Sequence, residues 1–304
     1  MISHRDVPLG ASRSYTKENA MFSIIFSNIL LQLLYFIGIL FVVGFLIRVL
    51  NKLFYRMLNY KKYVVYGTGI IGTPFHELSH ALMCLVFGHK ILEIKFFQID
   101  EESGTLGYVS HTYNHKNIYQ VIGSFFIGTA PIFVGTIFIC VLIKAMIPAA
   151  AVEIEAYLQD FALAQSMGIS VYSLKYAAIT FSGMVGAILS CIDLGAIWWG
   201  FAVIALCIAI HMNLSQADIS HSVKALPYLI GAFVVFNLLF GVIAFSTYET
   251  AVYYINLAGG YFVGILLLAL MLSIACVAIA TAIKYGKSGI VAAVKLVAKR
   301  FKPI

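Results

Sequence analysis

The stretch Gly72-Thr73-Pro74-Phe75-His76-Glu77-Leu78-Ser79-His80-Ala81-Leu82 sets the pattern His-Glu-x-x-His inside an apolar run from Tyr63 to Phe87. Residues four apart share one helical face, so His76 and His80 can offer two imidazole nitrogens to one tetrahedral Zn²⁺. Glu77, about 100° around the helix from His76, can then reach a water on the metal. Composition alone would give such a pattern by accident in roughly one chain in a hundred. The apolar setting lowers that figure, because ionisable groups at bilayer depth are costly unless they are paired or coordinated.

Working outward, the whole chain has the composition of that run. Its 304 residues are 62% hydrophobic and 11% charged, and the mean hydropathy is +0.95. A soluble domain is nearer half apolar and a quarter charged, so the expected fold is an all-α polytopic membrane protein of about six to seven transmembrane helices. The net charge of +7 does not indicate nucleic acid, because the basic residues sit at the ends of apolar runs, as membrane topology demands. Cys84, Cys140, Cys191, Cys207 and Cys276 show no C-x-x-C spacing and make neither a disulfide framework nor a thiolate zinc site.

Residues 1–20 mix charges with Ser, Gly and Pro and read as a flexible tail; no cleavable signal is evident. The membrane domain is expected over 21–283. Its first span, Phe22 to Leu50, ends in a connector bearing Arg48, Lys52, Arg56, Lys61 and Lys62 and no acid. The motif span Tyr63 to Phe87 has Gly67, Gly69 and Gly72 on its approach and Gly88 as a C-cap. Lys90 to Asn114 alternates apolar and polar residues on either side of Asp100-Glu101-Glu102-Ser103-Gly104, and so predicts a β-hairpin after the metal-binding helix. A third span, Asn117 to Ile147, holds Gly128-Thr129-Ala130-Pro131, small residues and a proline suited to lie against the motif helix. Pro148 to Ser170 reads as an amphipathic helix lying at the interface. Val171 to Ile210 is long enough for two short spans broken near Ser190 to Gly195, with Trp198 and Trp199 as an interfacial belt. Two further spans follow, Ala225 to Phe245 and Ile255 to Ile283. Residues 284–304 form a basic amphipathic tail suited to an anionic leaflet.

A catalytic zinc takes three protein ligands and keeps one position open. The candidates for the third are His111 and His115 by the hairpin, Asp193, Glu153 and Glu155 on a wet helix face, and Asp218. Asp218 is preferred because an apolar span breaks off in the polar run from His211 to His221, and irregular backbone at bilayer depth is tolerated where it lines a cavity. An aspartate there also suits the start of a helix.

His76-Glu77-Leu78-Ser79-His80-Ala81, Gly128-Thr129-Ala130-Pro131, the hairpin Lys90 to Asn114, and Asn213-Leu214 followed by Asp218 together resemble the site-2 protease family of intramembrane zinc metalloproteases. The resemblance covers about Gly67 to Val223, within a metalloprotease core expected over about 63–223. In that family an Asp-Gly supplies the third ligand after Asn-Leu and prolines. Here Asp218 is followed by Ile219-Ser220, and the prolines are absent. The resemblance implies one Zn²⁺ on His76, His80 and Asp218, Glu77 as the catalytic base, and hydrolysis of a peptide bond in or near the transmembrane segment of a membrane protein or peptide substrate. The expected location is the cell membrane. The alternative is a non-proteolytic membrane protein, a transporter or inactive homologue, that retains the metal site. Oligomeric state has no signature in the sequence.

Topology sets one further expectation. The basic connector and the basic tail both belong in the cytoplasm, which requires two spans within Val171 to Ile210 and brings Asp218 out on the cytoplasmic side. His80 lies only about 12 Å of helix rise from Gly88 and some 28 Å from Lys61, nearer the opposite face. Either Asp218 dips back as a broken helix, or one charge cue misleads.

Overall fold

The computed structural model describes residues 9–100, 104–166 and 171–300, without the side chains of 9–18, 20, 245–246 and 287–300. Much of the expected tail and turn therefore lies outside the described residues: 1–8 of the N-terminal tail, Glu101 to Ser103 of the turn, and all of the C-terminal tail's side chains from Lys287 onward. The chain is helical almost throughout. Helix α1 (Leu9–Leu33) starts within the stretch read as a tail and runs through a π-helical turn, Leu34–Gly38, into α2 (Ile39–Met57). It is followed by α3 (Lys62–Val86), strands β1 (Lys90–Lys95) and β2 (Tyr108–Thr112), and α4 (Ile118–Met146). Next come α5 (Pro148–Ser166), α6 (Val171–Leu189), a 3₁₀ turn at Ile192–Leu194, α7 (Ala196–His211), α8 (Gln216–Ile243) and α9 (Phe245–Arg300).

Among the described residues, five helical segments are long and apolar enough to cross a membrane: 21–57, 118–146, 171–194, 216–243 and 247–286. This is the pattern of a multi-pass membrane protein. The motif helix α3 is not one of the five, because His76, Glu77, His80 and its glycines dilute an otherwise apolar helix. Helix α7 has 16 residues, about 24 Å of rise, short of the roughly 30 Å hydrocarbon thickness.

Helix α4 sits at the centre, packed against α3, α5, α7, α8 and α9. Its buried face runs from Val121 to Ile143 and joins Leu40, Ile47, Phe201, Ile208, Leu266 and Leu272 in one apolar core. Small residues set the close approaches. A methyl group on Gly72 of α3 would strike Cys207 O and the His211 ring on α7. One on Gly128 of α4 would strike Asp218 O and Ser222 Oγ on α8. Helix α3 therefore closely approaches the end of α7, and α4 the start of α8, at positions where only glycine leaves room.

The end of α3 has a chemical cause. Gly88 takes φ +68°, a conformation natural to glycine, while Gly88 N–H bonds Leu85 O at 3.3 Å and His89 N–H bonds Cys84 O at 2.8 Å. This stops the helix and turns the chain into β1, which pairs antiparallel with β2, Lys90 opposite Thr112 and Lys95 opposite Tyr108.

Two expectations about surroundings change. Trp198 is buried and its indole N–H donates to Ile188 O at 2.7 Å, while Trp199 is exposed, so the pair does not form a uniform belt. Helix α5 has the expected amphipathic pattern, with Ile154, Leu158 and Phe161 buried and Glu153, Glu155 and Asp160 exposed. Its apolar face packs on α6 and α9 rather than on lipid headgroups, and Ala162 lies directly against Gly260.

Candidate metal centre

Helical spacing puts His76 and His80 one turn apart on α3, with Nε2 atoms 3.2 Å from each other. The Nδ1 atoms point away from each other, each to a backbone carbonyl. His76 Nδ1 lies 2.6 Å from His211 O, and His80 Nδ1 lies 2.8 Å from Ile127 O. A carbonyl only accepts, so each neutral ring carries its proton on Nδ1 and turns a bare Nε2 inward. Two bare nitrogens this close repel unless a positive species, a proton or a metal ion, lies between them.

Both carbonyls are available for a local reason. Pro131 has no N–H, so the carbonyl four residues earlier in α4, Ile127 O, loses its ordinary helical partner and takes His80 instead. His211 is the last residue of α7, where carbonyls have no helical N–H to accept from. Each histidine is thus held by a helix interruption on a neighbouring element, an arrangement of the kind that orients metal-ligating imidazoles.

Asp218 completes the group. Its Oδ1 lies 3.5 Å from His80 Nε2, and the ligand atoms of His76, His80 and Asp218 all fall within 4.8 Å of one another. Among the described residues this is the group of three His, Cys, Asp or Glu side chains able to hold one ion. The cap reading is also fulfilled, by a different division of labour: Ser215 is the N-cap of α8, with its Oγ accepting from Asp218 N–H at 3.1 Å. Asp218 Oδ2 returns the bond by accepting from Ser215 N–H at 2.7 Å. One carboxylate oxygen starts a helix and the other faces the imidazoles. Two imidazoles and a carboxylate fit zinc at an open site and fit iron(II) as well, so the donor set alone identifies a metal group and not its metal.

Glu77 is 6% exposed and lies on the wall of a cavity of about 300 Å³ shared with His76, His80, Asp218, Gly107 and His111. Gly107, just before β2, packs on it closely, since a methyl group there would lie 2.9 Å from Glu77 Cγ. The hairpin therefore forms the lid side of the cavity, and α8 and α4 close the rest through Ser215, His221, Ile127 and Gly128.

The remaining candidates separate cleanly. His111 lines the cavity but is not in the three-atom group. It contacts His89, Nδ1 to Nδ1 at 3.1 Å, and His89 in turn donates from Nε2 to Gln120 O at 2.8 Å. Burial, reinforced by the neighbouring His89 and His221, pushes the His111 pKa down to about 4. His115 packs on the Tyr113 ring, and Asp193, Glu153 and Glu155 are exposed. Sequence reasoning missed the two carbonyls, Ser215 as the cap, and His221; only Pro131, four residues after Ile127, carried a readable signal.

Comparison with protein-family models, curated proteins and solved structures finds no significant match.

Proposed function

We propose that the chain is an intramembrane zinc metalloprotease that hydrolyses a peptide bond in or near the transmembrane segment of a membrane-embedded substrate, and that it resides in the cell membrane. The observation that carries this reading is the convergence of two carbonyl-anchored imidazoles and one carboxylate beside a buried glutamate that lies outside that group. A purely structural ion site has no need of that fourth, acidic group.

His76, His80 and Asp218 would hold the zinc, which when bound polarises a carbonyl and lowers the pKa of a water. Glu77 takes the proton of the attacking water on its carboxylate and returns it to the leaving amine nitrogen, so one residue serves both halves of the reaction. Glu77, buried at 6% exposure, meets little bulk water that could compete for that proton. Helical substrates hide their carbonyls, so the scissile segment has to be unwound. Strand β2, paired on one side only by β1, lines the cavity and offers an edge to an extended segment.

Metal analysis of the purified protein and cleavage of a fluorogenic transmembrane peptide by wild type and Glu77→Gln test the reading. Zinc at one per chain, with cleavage by wild type alone, supports it. Metal-loaded protein that cleaves nothing in a panel of membrane substrates would favour a non-proteolytic role, and protein that binds no metal would sink the reading altogether.

A further inference from the structure

Asn51 lies on α2, between Arg48 and Lys52 and outside the stretch that carries the motifs, yet it is fully buried at 0% exposure. Its side-chain nitrogen faces three oxygens: Ala209 O at 3.0 Å, Ile210 O at 3.0 Å and Asn213 Oδ1 at 3.2 Å. Only an N–H group can face three acceptors, which fixes the amide's orientation. Its own Oδ1 is buried and finds no partner among the described residues. Burying an acceptor unpaired is unfavourable, so the residue's contribution comes from its donor half.

The two carbonyls belong to the last turn of α7, and Asn213 follows it. Ala209, Ile210 and His211 are consecutive, and the first two carbonyls are tied to Asn51 while the third accepts from His76 Nδ1 at 2.6 Å. Peptide units are planar and successive helical carbonyls keep a fixed rotation, so clamping two of them sets the direction of the next. Asn213 reinforces the same turn by donating from Nδ2 to Ile210 O at 3.2 Å.

We infer that Asn51 is a positioning residue for His76: by clamping the end of α7 it aims the His211 carbonyl, and that carbonyl holds His76 with its bare Nε2 toward His80 and Asp218. The inference rests on the reading of that group as a zinc site. The first membrane-spanning helix thereby becomes part of the metal centre although none of its side chains reaches it.

The test compares Asn51→Leu with Asn237→Leu. Asn237 is equally buried and hydrogen-bonded, to Gln32, Phe233 and Tyr248, about 28 Å of helix rise along α8 from Asp218. Zinc affinity is measured by chelator competition in detergent, the visible spectrum of the cobalt-loaded protein reports ligand geometry, and thermal unfolding of metal-free protein reports stability. Both variants should lose stability. N51L alone should lose zinc affinity, by about tenfold as for other outer-shell partners, and shift the cobalt bands. If N51L fails to accumulate, Asn51→Ser, which keeps one donor, should show the same effect in smaller measure. Zinc bound by wild type with equal affinity in N51L and N237L would overturn the role of Asn51 alone; no zinc bound by wild type would overturn both this role and the proposed function.

Discussion

Replacing Pro131 by alanine should weaken metal binding without weakening the fold, an unusual combination that follows from one carbonyl. The alanine restores an N–H that can bond Ile127 O, the acceptor now used by His80 Nδ1 at 2.8 Å. Alanine is favoured over proline in a helix interior by about 3 kcal/mol. Against this, Pro131 is buried, and losing two ring carbons returns roughly 1.6 kcal/mol. Sharing the carbonyl costs up to about 1 kcal/mol more. Metal-free P131A should therefore be more stable than wild type by about 0.4 to 1.4 kcal/mol. A carbonyl has two lone pairs, so His80 keeps part of its bond, and the loss of zinc affinity should fall at the low end of the outer-shell range, about tenfold. Chelator competition gives the affinity and thermal unfolding of the metal-free protein the stability. Unchanged zinc affinity in P131A would refute the claim that the proline exists to free a carbonyl for His80.

Asp218→Asn should lower zinc affinity strongly while α8 stays formed, since an amide oxygen can still accept from Ser215 N–H; Asp193→Asn, at an exposed turn, should leave zinc stoichiometry unchanged. Glu77→Gln should retain its metal and lose cleavage by about 10²- to 10⁴-fold, measured as turnover of a transmembrane peptide. His111 stays neutral in the folded protein down to about pH 4, against an ordinary value of 6.5. Between those values the unfolded chain binds a proton that the folded chain does not, so stability falls as pH drops through this window. His111→Gln should lose less thermal stability than wild type on going from pH 7 to pH 5.

What the sequence revealed and what it hid divide along chemical lines. His76, Glu77 and His80 were legible because their geometry is fixed within one helix turn. Asp218 was legible because a polar run interrupts an apolar one, and the short α7 brings that interruption beside the motif helix. The His211 and Ile127 carbonyls were not legible, because backbone oxygens have no residue type to betray them. Asn51 was hidden for another reason: beside Arg48 and Lys52 it looks like part of a wet helix end, and only tertiary packing buries it. Trp198 was misplaced similarly, since the turn at Ile192–Leu194 folds α7 back so that its indole meets Ile188 O.

The bond from Ser215 N–H to Asp218 Oδ2 at 2.7 Å also limits denticity. A carboxylate free at both oxygens can chelate an ion through two atoms and crowd its coordination shell. Here Oδ2 accepts the bond that starts α8, which disfavours chelation through both oxygens and favours Oδ1, the atom turned toward the imidazoles. The three residues then offer one donor atom each. The helix cap that orders α8 thereby acts as a limit on ligand number, and it leaves coordination room for something other than protein.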